Sequence, residues 1–86
     1  SGHLPQEIPE LTIGAMGEKM LLSKVLVEGG LAASNSEARR LIQQGGVKVD
    51  GDAVREVKAE ISTTESKPIL IQVGKRRFAK VTFTLD

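Results

Sequence analysis

The stretch Ser34-Asn35-Ser36-Glu37-Ala38-Arg39-Arg40-Leu41-Ile42-Gln43-Gln44-Gly45-Gly46-Val47-Lys48-Val49-Asp50-Gly51 carries three structural signals in succession. Ser34 followed three residues later by Glu37 fits a helix capping box, with Ser36 as a competing cap. Ala38, Leu41 and Ile42 then recur at helical spacing, and Gly45-Gly46 stops the helix. Beyond the glycines the period falls to two. Val47 and Val49 flank Lys48, and Asp50-Gly51 is a strong hairpin-turn signal. A capped amphipathic helix running directly into a hairpin therefore anchors the reading of the whole chain.

On the N-terminal side, Met20, Leu21, Leu22, Val25 and Leu26 predict a first helix over residues 17–29, ended by Gly29-Gly30. Residues 4–15 hold Pro5 and Pro9 and show no helical period, which reads as an extended linker or tether. Ser1-Gly2-His3 resembles an expression scar and lacks the character of a signal peptide. The remainder, residues 16–86, reads as one small domain.

On the C-terminal side, Val54, Val57 and Ile61 suggest a return strand or an irregular extended segment, and residues 63–68 a polar loop. Ile69-Leu70-Ile71-Gln72-Val73 reads as a buried strand. After a turn at Gly74-Lys75, residues 76–85 form a last strand with Ala79, Val81, Phe83 and Leu85 on one face. Arg76, Lys80, Thr82 and Thr84 share the other. Phe78 falls on this polar face by parity, and a bulge that turns it inward is the expectation. Two main helices followed by a small, mainly antiparallel sheet make the fold class α+β.

Composition narrows the function. The chain has 86 residues, 2% aromatic, with no Cys, Trp or Tyr and a single His. The core must be aliphatic, and a wall of stacked aromatic side chains is excluded. Without cysteine there are no disulfides or thiolate metal sites. His3 alone makes no metal cluster or catalytic base pair, and Asp50 and Asp52 are explained by the turn they flank. No loop has the sequence of a phosphate cradle. Catalytic residues, metal ligands and a cofactor are therefore not expected in these residues. No apolar run approaches the ~20 residues of a membrane span, so no membrane partner is expected, and a cytoplasmic location is the default.

The formal net charge of +1 hides a polarised chain. Residues 1–23 carry Glu7, Glu10 and Glu18 against Lys19, whereas residues 75–86 carry Lys75, Arg76, Arg77 and Lys80 against Asp86. A polyanion responds to a local patch more than to the total, because screening limits each charge to about 10 Å. Arg39/Gln43 and Arg40/Gln44 are each four apart and form a polar strip on the second helix. That strip leads towards Lys48, and Lys75, Arg76, Arg77 and Lys80 are candidates to extend the patch. Guanidinium groups fit phosphate, and glutamine amides reach phosphate, ribose or base edges. The same pattern also fits a plain solvated face. A protein-interaction module using the apolar first helix is a reading from another class.

A resemblance adds to this. Ser34, Ala38, Arg39, Ile42, Gly45, Val47, Val49 and Gly51 match the alpha-L RNA-binding motif, the small domain named after the S-four ribosomal protein. Leu26–Ser34, Glu37–Asp50 and Val73–Val81 resemble most closely the C-terminal domain of bacterial tyrosyl-tRNA synthetases. Asn35 stands where many alpha-L domains have Arg, and Gly46 where many have His. The resemblance implies a non-catalytic tRNA-binding domain whose parent activates tyrosine with ATP and dimerises through its catalytic part, the isolated piece being monomeric. It implies RNA contacts at Arg39, Arg40, Gln43, Gln44, Lys48, Lys75, Arg76, Arg77 and Lys80. An alpha-L domain of a ribosomal protein, a pseudouridine synthase or a ribosome-rescue factor is the alternative within RNA binding.

Overall fold

A computed structural model describes residues 7–85; the expected scar at 1–3 and the start of the lead-in lie outside the described residues. In chain order the elements are β1 (Glu10–Gly14), β2 (Lys19–Leu21), α1 (Leu22–Glu28), α2 (Asn35–Gln43), β3 (Val47–Val49), β4 (Asp52–Ala53), β5 (Glu60–Ser62), β6 (Ile69–Val73) and β7 (Arg77–Thr84). Five strands form one sheet in the order β1-β7-β6-β3-β4, and β2 pairs with β5 in a separate two-stranded ribbon. The main sheet is antiparallel except for β1, which lies parallel to β7. This is the expected α+β arrangement, two helices against a mostly antiparallel sheet.

The sheet has one dry face. Val47, Ile69, Ile71, Val73, Ala79 and Val81 are buried and join Leu22, Val25, Leu26, Ala38 and Ile42 of the helices in one aliphatic core. Burying an Ile or Leu side chain fully is worth roughly 1.5–3 kcal/mol, so this layer supplies most of the cohesion. The other face carries Lys48, Leu70, Gln72, Phe78, Lys80 and Thr82, by alternation from the buried positions.

Several expectations need correction. Residues 10–14, read as part of a tether, form β1: Leu11 pairs with Val81 and Ile13 with Phe83, and Ile13 enters the core. Leu11-Thr12-Ile13 alternates with period two, and the prolines lie outside the strand, where they cost no ladder bond. Residues 17–21, read as the start of a helix, instead hold a turn at Gly17 (φ 92°) and β2, so α1 begins only at Leu22. Met20 packs in the core from this strand, Leu21 is exposed, and the Leu22 N–H donates to the Ala59 carbonyl at 2.8 Å. No side chain caps α1; its start is fixed by the β2–β5 ribbon.

The third concerns Phe78. The β6–β7 register runs without interruption from Ile69↔Val81 to Val73↔Arg77, with Phe78 opposite Gln72. There is no bulge. Phe78 stays on the outer face, half-buried, because strand parity is set by Ala79 and Val81 on either side of Lys80. Leu85, expected to face the core, lies beyond the end of β7 and is 77% exposed. The return strand is short: β4 has two residues, and Ile61 pairs with Met20 of β2.

Candidate nucleic-acid interface

The strip on α2 is built by its cap and its stop. Ser34 takes an extended conformation and its Oγ accepts from the Glu37 N–H at 3.1 Å. Glu37 Oε1 reaches back to accept from the Ala33 N–H at 2.7 Å, one residue earlier than the standard capping box. Its other carboxylate oxygen lies 3.9 Å from Arg40 Nη2. With Ala38 and Ile42 buried, Arg39, Arg40, Gln43 and Gln44 all project to solvent. Glu37 draws Arg40 towards the helix start, whereas Arg39 has no carboxylate within ion-pair distance among the described residues.

The C-terminal end of α2 adds a cation that the sequence pattern misses. Gly45 turns the chain with φ 75°, and the Arg55 guanidinium packs over it: a side chain added at Gly45 would place its Cβ about 3.0 Å from Arg55 Nε. The last carbonyls of a helix carry partial negative charge, which favours a cation there. Arg55 lies outside any periodic element, so no spacing rule points to it; the signal is the glycine whose missing side chain makes room. Thus Arg55 joins Gln43 and Gln44 at one end of the molecule.

The β6–β7 turn reaches the same end. The Gly74 N–H donates to the Gly46 carbonyl at 2.8 Å, tying the turn that carries Lys75 and Arg76 to the chain leaving α2. Gln72 Nε2 donates to the Gly74 carbonyl at 3.0 Å and braces this turn. Both Lys75 and Arg76 are exposed. Arg77 belongs to the helix side of β7, opposite Val73, and its Nη2 donates to the Gly30 carbonyl at 3.0 Å, just past the end of α1. It therefore holds the fold together at this rim as well as adding charge.

Lys48 and Lys80 do not extend the α2 strip. Both are exposed on the outer face of the sheet, the side away from α2. Lys48 lies in one row with Gln72 and Phe78, and Lys80 in the next with Leu70 and Glu10. The sequence candidates thus divide into two groups. Arg39, Arg40, Gln43, Gln44, Lys75, Arg76 and Arg77 follow the helix and the adjoining rim, where Arg55 joins them. Lys48 and Lys80 lie around the corner, on the outer face that also carries Phe78.

The family model for the tyrosine–tRNA ligase SYY-like C-terminal domain matches residues 2–81. Over 79 residues the chain is 53% identical to the tyrosine–tRNA ligase of Geobacter sulfurreducens, covering 92% of this chain and 19% of that protein. The tyrosine–tRNA ligase of Mannheimia succiniciproducens is 48% identical over 82 residues, 94% of this chain and 19% of that protein. That of Moorella thermoacetica is 45% identical over 78 residues, 91% of this chain and 18% of that protein. The chain spans about a fifth of the length of these relatives. With a match running from the lead-in through both helices and into the last strand, the chain belongs to the tyrosine–tRNA ligase SYY-like C-terminal domain family.

Proposed function

We propose that this chain is the tRNA-gripping part of a tyrosine–tRNA ligase, acting on tyrosine-specific tRNA in the cytoplasm, while tyrosine activation with ATP and transfer to tRNA belong to the rest of such an enzyme. The observation that carries this reading is the rim of exposed cations and amides, Arg39, Gln43, Gln44, Arg55, Lys75 and Arg76, in a chain of this family. The grip is electrostatic. Fork-shaped guanidinium groups on α2 and the β6–β7 turn take phosphate oxygens, and the glutamine amides fix register through ribose and phosphate. Pairing through the catalytic part, with this piece monomeric, belongs to the same reading.

Replacing Arg39→Glu together with Arg40→Glu tests it. Both side chains are exposed, and the new like-charge pair with Glu37 costs the helix only a few tenths of a kcal/mol. A titration with tyrosine-specific tRNA is expected to lose at least tenfold in affinity, while the circular-dichroism melt stays cooperative. Wild-type affinity should fall steeply with salt, at about 0.7–0.9 in log–log slope per phosphate contact. Unchanged binding by the double variant, or a flat salt response, would remove the α2 strip from the interface. Equal affinity for a ribosomal RNA fragment would favour a general RNA grip over one devoted to tRNA.

A further inference from the structure

The outer face of the sheet is open among the described residues. Register aligns Lys48, Gln72 and Phe78 in one row across β3, β6 and β7, and Leu70, Lys80 and Glu10 in the next. Each of these six is exposed or half-buried, whereas their strand neighbours Val47, Ile71, Val73, Ala79 and Val81 are buried on the helix side. Adjacent strands lie about 4.8 Å apart and successive rows on one face about 6.8 Å apart, so Lys48 and Lys80 both stand within roughly 10 Å of Phe78 along the sheet. Past Lys80 the face continues into a shallow groove of about 440 Å³, lined by Ile8, Lys67, Pro68, Leu70 and Lys80.

Charge, ring and continuity choose the occupant. Lys48, Lys67 and Lys80 stand against Glu10 and Asp50, and Asp50 Oδ1 already accepts from the Leu70 N–H at 2.9 Å. Protein interfaces are depleted in lysine, whereas nucleic-acid interfaces are polar and strongly positive. An open sheet with an aromatic ring among cations is a surface on which single-stranded RNA stacks. Phe78 is one of two aromatic residues in the chain, and the other, Phe83, packs against the core. An acidic peptide answers the lysines but carries no flat ring in step with its charge; in a nucleotide strand every phosphate comes with a base. The face also continues from the rim. Gln72 Nε2 donates to the Gly74 carbonyl of the turn that bears Lys75 and Arg76. Its Oε1 is left to accept from a ribose 2′-hydroxyl or a base amino group.

We propose that this outer face is a second RNA surface, on which an unpaired stretch of the RNA held at the rim crosses β3, β6 and β7, one base lying on Phe78 and its neighbouring phosphates meeting Lys48 and Lys80. This rests on the RNA-binding reading above and adds to it a platform for single strand on the side of the sheet away from α2. Lys48 and Lys80, which do not extend the α2 strip, thereby serve a segment of the RNA that the strip does not touch.

The test uses the 86-residue chain, tyrosine-specific tRNA, a fully paired RNA hairpin, and the same hairpin carrying six unpaired nucleotides at each end. Wild-type protein is expected to bind the tailed hairpin about tenfold tighter than the paired one, in line with one base–aromatic stack. The tails should also move the Phe78 ring resonances upfield. Lys48→Gln together with Lys80→Gln, both at exposed positions, should bring the gain to within twofold. The same pair should lower the salt slope for the tailed hairpin by about 1.4, the worth of two single-strand phosphate contacts. Phe78→Leu, which keeps an apolar residue on the strand, should cut the gain at least threefold while the melt stays cooperative. Arg39→Glu should weaken both hairpins alike. If the tails add nothing while the tRNA still binds, the platform is overturned and the RNA reading stands. A gain that survives both the lysine pair and Phe78→Leu puts the single strand elsewhere and also overturns the platform. Hexaglutamate producing the same ring shifts at the same concentration would assign the face to an acidic protein segment and overturn it too. Failure to bind any of the three RNAs overturns both readings.

Discussion

Residues 34–51 and residues 10–21 are built by different kinds of information. In the first, each decision is made within a few residues. Ser34 caps its own helix, Gly45 stops it at φ 75°, and Asp50 and Gly51, both at positive φ, fold the hairpin turn. In the second, the partners are remote: Leu11 finds Val81 and Met20 finds Ile61. Prolines and short hydrophobic runs there look like a tether followed by a helix, until strands far down the chain claim them. Local chemistry is legible in a sequence because cap, stop and turn leave residue-specific marks. Long-range pairing leaves only alternation, and over three to five residues alternation is easily taken for something else.

The largest effect that sharpens this contrast comes from removing residues 1–14. If β1 is integral to the core, as the burial of Ile13 indicates, the truncated chain should lose about 3 kcal/mol or more in urea unfolding, comparable to deleting a large core side chain. A stability within ~0.5 kcal/mol of the full chain would return this segment to the status of a tether. Next comes Gly45→Ala. The left-handed backbone penalises any Cβ by roughly 1–2 kcal/mol, and Arg55 must also move aside. The expected outcome is a loss of about 2 kcal/mol in thermal or urea denaturation and a weaker grip on RNA. Gly30→Ala, at φ 73° but with nothing within 4 Å of the new Cβ, should cost less, and an equal cost would mean that Arg55 yields freely. The smallest is Ser34→Ala, worth about 1 kcal/mol if the cap acts as its geometry indicates; no change in the urea midpoint would show that Glu37 and water replace it.

The same division runs through the candidate interface. Arg39, Arg40, Gln43 and Gln44 were legible because helical spacing places them on one face and the buried Ala38 and Ile42 fix which face. That Lys48 and Lys80 belong to the opposite side of the sheet follows from strand parity relative to a helix layer, which only the assembled register reveals. Arg55 was illegible: a residue in an irregular segment meets Gly45 only after β3 and β4 have folded back. For Phe78 the parity was correctly marked by its neighbours, but the shortage of aromatic residues argued for pulling it inward. The core had no need of it, since Ile71, Val73, Ala79 and Val81 with the helix leucines already fill the layer.

The parallel pairing of β1 with β7 bears on how tension passes through the molecule. The two strands point the same way, so the chain enters β1 at one end of the ladder and leaves β7 at the other. A pull between the segment before Pro9 and the end of β7 loads the pair lengthwise, and its hydrogen bonds resist together instead of parting one after another. The β6–β7 turn with Lys75 and Arg76 stands at the other extreme, the end at which β1 begins, so a load between that turn and the segment before Pro9 bears on one end of the pair and opens its bonds in sequence. The joint is stiff along one line of pull and yielding along the other.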